Sequence, residues 1–142
     1  MKKQALGWVG VLSVLLAAGS ALAQTGAMRA DVPFSFTIND TTMPAGLYTI
    51  SRTESANNIL VIRGGNSAAV KIVIPHRVES LKAADRTKLV FHCYSGRDHC
   101  FLYQLWVGGE RAGQELRKSS LEKEVAAARL RSEAVPVIAS SR

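Results

Sequence analysis

Lys88-Leu-Val-Phe-His-Cys-Tyr94, Ser95-Gly-Arg-Asp98 and His99-Cys-Phe-Leu-Tyr-Gln-Leu-Trp-Val107 run in succession, and this stretch decides the fold. Both arms are rich in aromatic and branched residues, which suit a pleated, half-buried surface. The four residues between them are turn formers, and Gly96 is free to take positive φ. The stretch reads as a β-hairpin. With Gly96 and Arg97 at the tip, Ser95 faces Asp98, Tyr94 faces His99, Cys93 faces Cys100, Phe91 faces Leu102 and Leu89 faces Gln104. Directly opposed Cβ atoms lie about 4.5–5.5 Å apart, and a disulfide needs about 3.5–4.5 Å. A small adjustment closes a Cys93–Cys100 bond. A one-residue slip would put the two cysteines on opposite faces.

The start of the chain points to an oxidising compartment, where two cysteines are read as a pair. Lys2 and Lys3 form a positive n-region, Ala5 to Ala18 an apolar run, and Ala21-Leu-Ala23 a cleavage site. This pattern predicts a signal peptide over 1–23 with cleavage before Gln24. The apolar run is shorter than the roughly 20 residues a spanning helix needs, so the chain is expected to be exported and not membrane-spanning once cleaved. Its destination is the periplasm, the cell surface or the medium. Removing 23 of 142 residues leaves 119, and losing two lysines lowers the net charge from +7 to +5. Export and singly scattered lysines and arginines argue against nucleic acid as a partner. An envelope component or another protein is the expected partner.

The mature chain is expected to be one β-domain over 24–118, a C-terminal helix over 119–132 and a loose tail over 133–142. Gln24 to Arg29 has no periodicity and is read as a frayed end. Val32, Phe34, Phe36 and Ile38 alternate with polar residues and predict a strand. Asn39-Asp40 and Met43-Pro-Ala-Gly46 are turn signals. Gly46–Thr53, Asn58–Arg63 and Ala68–Ile74 follow as strands, with Val70, Ile72 and Ile74 inward and Lys71 outward. His76 to Arg86 reads as a connection, and Glu110 to Lys118 carries no periodic signal. Ser119-Ser-Leu-Glu122 matches a capping box, and Leu121, Val125 and Ala128 form one narrow apolar helix face. Several short strands with turns between them predict a mainly β fold. The expectation is an antiparallel β-sandwich or small barrel of about six to seven strands with one C-terminal helix.

No constellation for chemistry emerges. His92, Cys93, His99 and Cys100 are metal-ligand types, but neighbours on a strand point to opposite faces, so no metal site is assigned. There is no nucleophile elbow or phosphate loop, no catalytic residue is assigned, and no cofactor is called for. The candidate ligand-contact residues are Tyr94, His92, His99 and Tyr103, because aromatic and imidazole groups on a hairpin face make a binding surface.

Val32-Pro-Phe-Ser-Phe-Thr-Ile38, Met43-Pro-Ala-Gly-Leu-Tyr-Thr-Ile50, Lys88-Leu-Val-Phe-His92, Phe101-Leu-Tyr-Gln-Leu-Trp106 and Gly113-Gln-Glu-Leu-Arg-Lys-Ser119 together resemble an uncharacterised family of small exported β-rich bacterial proteins. The resemblance covers most of the mature chain and implies a shared exported fold, with no activity attached. The family's hairpin tip is shorter and lacks a cysteine pair, which makes the disulfide a local reinforcement. The leading reading is a non-enzymatic exported binding or structural domain. The alternatives are a small barrel carrying an apolar ligand and an uncharacterised hydrolase.

Overall fold

The computed structural model describes residues 26–53, 59–66, 69–128 and 131–141. The expected signal peptide and its cleavage site lie outside the described residues. In chain order the strands are β1 (Met28–Val32), β2 (Phe36–Ile38), β3 (Thr41–Met43), β4 (Gly46–Thr53), β5 (Ile59–Gly64), β6 (Val70–Val73), β7 (His76–Glu79), β8 (Lys88–Tyr94), β9 (His99–Trp106) and β10 (Ala112–Glu115). Helix α1 (Ser120–Ala127) and strand β11 (Ser132–Ser141) follow.

The fold is mainly β with one short helix, as the alternation predicts. The number and direction of strands differ from expectation. Eleven strands, among the described residues, form one sheet in the order β3-β2-β9-β8-β11-β1-β4-β5-β6, with β10 and β7 branching from β9. The sheet is mixed because β2 runs parallel to β9, with Thr37 beside Phe101. It curls into a half-barrel. Pro33 to Ser35 break the expected single strand in two, so β1 pairs β4 while β2 crosses to β9. The inward face is nevertheless the predicted one. Val32, Phe34, Phe36 and Ile38 are all buried, and Phe34, Phe36, Tyr48 and Phe91 pack edge to face with centroids about 5 Å apart.

The β8–β9 hairpin has the predicted pairs Tyr94–His99, Cys93–Cys100 and Phe91–Leu102. A disulfide joins Cys93 and Cys100. Beyond Phe91 the register shifts, so Leu89 faces Leu105 and not Gln104, and Tyr103 is left without an opposite residue. This bulge turns Leu105 into the core.

Four other expectations are corrected. Residues 28–32, whose first two fell in the expected frayed end, form β1, held between β4 and β11. The segments around 76–79 and 112–115, read as non-strand, pair with each other as β7 and β10. The tail is a ten-residue strand that pairs β8 over Ser132–Ile138 and β1 over Ala139–Ser141. On β6 the faces are reversed: Val73 is buried, while Val70, Ile72 and Ile74 are exposed. Its register with β5 explains this. The Gly64 amide donates to the Ala69 carbonyl at 3.1 Å, Leu60 faces Val73 and Ile62 faces Lys71. Opposed residues share a face, and Leu60 and Ile62 are core.

The helix is Ser120–Ala127, shorter than predicted. Ser119 caps it, with its hydroxyl accepting from the Glu122 amide at 3.1 Å. Asn39 and Asp40 have positive φ at the two-residue tip between β2 and β3, the type I′ pattern for that loop. This aims the Asp40 carboxylate at the helix, where Oδ1 accepts from the Leu121 amide at 3.0 Å. The expected apolar face is not the buried one: Leu121 is exposed and Glu122 is buried.

Candidate functional site

Two places draw chemically distinct side chains together. The first is the outer face of the β8–β9 hairpin, opposite the core. His92 and Tyr94 lie two residues apart on β8 and so share this face. Tyr103, the extra residue of the bulge, lies beside His92, and their rings stack with centroids 3.7 Å apart. Helix α1 sets Glu122 over them. Its Oε1 accepts from the Tyr94 hydroxyl at 3.1 Å and lies 3.2 Å from His92 Nδ1. Glu122 is only 3% exposed, and a buried carboxylate needs such partners.

Burial, and after it the charge and hydrogen bond of Glu122, push the Tyr94 hydroxyl up to about 12. Burial also raises Tyr103, reinforced by a hydrogen bond and the charge of Glu115. Glu115 accepts from Gln104 Nε2 at 2.7 Å, and Gln104 in turn accepts from the Trp106 indole at 3.1 Å. The indole lies on Gly113. A methyl added there would come within 2.7–2.8 Å of three of its ring carbons, distances too equal for an edge-on approach.

Three of the four candidate contact residues therefore meet: His92, Tyr94 and Tyr103. His99 does not join them; it is exposed at the hairpin tip, opposite Tyr94. Sequence reasoning missed Glu122, because a capping-box glutamate is expected to turn back to its own cap. The period-two spacing of His92 and Tyr94 placed both on one outer face and was the available signal.

The second place is a half-open cavity of about 250 Å³ at one end of the half-barrel. Met28, Ile50 and Leu60 form one wall from β1, β4 and β5; Leu105, Val107 and Ala112 form the other, from β9 to β10. Arg52 stands on the first side, and Glu110 on the second. Met28, Ile50, Leu60 and Leu105 are core residues, so the cavity floor is the core itself. None of these residues was a sequence candidate. They come from five separate strands and the turn after β9, and nothing local marks them.

No group of three or more His, Cys, Asp or Glu suited to a metal ion occurs among the described residues. No helix among the described residues is long and apolar enough to cross a membrane. No protein-family model, curated protein or solved structure matches the chain.

Proposed function

We propose that this chain is a non-enzymatic, exported binding domain of the cell envelope, and that the cavity at the end of its half-barrel takes a small amphiphilic ligand. The N-terminal n-region, apolar run and A-x-A site support export, and the Cys93–Cys100 bond is compatible with it. The resemblance to small exported bacterial proteins points the same way.

One observation carries the binding reading. Core side chains Met28, Ile50, Leu60 and Leu105 floor an open cavity whose rim holds Arg52 and Glu110. An apolar floor with few polar groups at the mouth is the common build of a small-molecule site. The ligand's apolar body lies on the floor and its polar head sits between the rim charges. Among the described residues, the cavity lining carries no histidine, cysteine or lysine.

Amide NMR titration of the mature protein with octanoate, octanol and octylamine tests this. At least one should shift resonances of Leu105, Val107 and Ala112, and Ala112→Trp, which fills the cavity, should abolish the shifts. Silence from those resonances with all three probes would rule out the reading. Arg52→Gln should weaken the anionic probe about tenfold, the loss of one charged hydrogen bond.

A further inference from the structure

Strand β6 ends the long path of the sheet and, among the described residues, pairs only with β5. Its outward side chains are unusually apolar for a free edge: Val70 is 51% exposed, Ile72 63% and, just beyond the strand, Ile74 68%. Free edges are usually blunted by charge or irregularity, because their unpaired amides and carbonyls template another strand.

The backbone bonds identify which groups are free. The Gly64 amide donates to the Ala69 carbonyl, so that pair is a hydrogen-bonded one. Antiparallel pairs alternate in type. Arg63–Val70 and Val61–Ile72 are then the non-bonded pairs with β5, and the N–H and C=O of Val70 and Ile72 point away from it, into the open edge.

We propose that β6 pairs antiparallel with β6 of a second copy, about a two-fold axis at Ile72. In this register Ile72 faces its own mate and exchanges both hydrogen bonds with it. Val70 faces Ile74 of the other copy, and Lys71 faces Val73. The same backbone groups could also pair about Lys71, but that register opposes two lysines, and directly opposed like charges destabilise a ladder. Lys71 therefore selects the register centred on Ile72. The paired strands join the two sheets and set six exposed branched side chains side by side on one face. A contact of one strand pair covers less than the roughly 1,200 Å² of a standard interface. The dimer therefore belongs to the weak class, with a Kd in the micromolar to millimolar range.

Cysteine placement tests both the dimer and its register, since the native cysteines are already joined. Mildly oxidised Ile72→Cys should run as a covalent dimer on non-reducing gels. Val70→Cys alone should not, because the two copies of residue 70 lie about 14 Å apart. A mixture of Val70→Cys with Ile74→Cys should cross-link between the two variants. Circular dichroism checks that each exposed-site variant is folded. Sedimentation equilibrium of the native-sequence mature protein should show self-association that Ile72→Lys weakens at least tenfold. A strict monomer at millimolar concentration would overturn the proposal, even if the edge then captured an extended peptide of another protein. Cross-linking of Val70→Cys alone as fast as Ile72→Cys would also overturn it.

Discussion

Glu122 on α1 and Tyr94 on β8, 28 residues apart in sequence, are joined by one hydrogen bond, with the Tyr94 hydroxyl donating to Glu122 Oε1 at 3.1 Å. That oxygen also lies 3.2 Å from His92 Nδ1. The bond decides where the helix sits. The helix is eight residues long, too short to be stable alone in water. Its exposed Leu121 offers little apolar anchorage. Glu122 therefore fastens it to the β8–β9 hairpin face, and the Asp40 cap fastens it to the β2–β3 tip.

Replacing the carboxylate should loosen that fastening. Glu122→Ala leaves the buried Tyr94 hydroxyl and the half-buried His92 without their partner, which costs about 2–3 kcal/mol. Glu122→Gln keeps an accepting oxygen and should cost less. Urea denaturation of both variants measures the difference. Equal, near-zero losses would mean that the helix is held by something else.

Alkaline pH should act on the same contact. Burial first, then the charge and hydrogen bond of Glu122, place the Tyr94 hydroxyl at about 12. Burial also raises Tyr48 and Tyr103. An unfolded tyrosine ionises near 10, so above that pH the folded chain holds more protons than the unfolded one. Stability is then complete below about pH 10 and falls as pH rises from about 10 through about 12. Tyrosinate absorbance should climb together with loss of the circular dichroism signal, and Tyr94→Phe should flatten the decline. Normal phenol ionisation in a fully folded protein would contradict this.

The disulfide ties directly opposed positions at the end of the hairpin, and both cysteines are buried in the core. Closing a loop of about eight residues contributes roughly 2.5 kcal/mol in the chain-entropy account. Cys93→Ala combined with Cys100→Ala should lose at least about that amount, since packing is lost as well. Thermal melts with and without reductant check it, and the reduced protein should melt with the double variant. Identical melts for oxidised and reduced protein would leave the bond without a stabilising role.

The hairpin was legible because its signals are local: alternation in two arms, four turn formers and two cysteines at mirror positions. The capping serine was legible for the same reason. Strands β7 and β10 were not. Ala112-Gly-Gln-Glu115 has little intrinsic strand preference and becomes a strand because Trp106 to Gln104 on one side and β7 on the other offer it partners. The reversed face of β6 shows the limit of periodicity, which gives two faces without saying which is inward; the register with β5 chooses. Of the candidate site, the shared face of His92 and Tyr94 could be read. Tyr103 shares that face in the predicted register too, opposite Val90, and the bulge leaves it unpaired with its ring stacked on His92; Glu122 arrived from the helix. The cavity was hidden because its floor is assembled from distant strands.

The C-terminal strand gives the last prediction. Pro136 and the serines near the end made residues 133–142 look like a tail, since proline lacks the amide a central strand needs. The structure resolves the conflict by position. Pro136 faces Val90 in the half of β11 that pairs only β8, and it is exposed; β1 joins further on, from Ala139. Proline is thus confined to a stretch with one open edge, while Val137 and Ala139 enter the core. A chain ending at Arg131 would lose both ladders of β11 and leave the free edges of β8 and β1 facing one another. A domain with a typical margin of 5–15 kcal/mol does not survive that loss. The truncated protein should show neither a strand-rich far-ultraviolet spectrum nor a cooperative melt, and adding a synthetic peptide of residues 132–142 should restore both in part. A cooperative melt of the truncated chain by itself would mean that the half-barrel closes without its last strand.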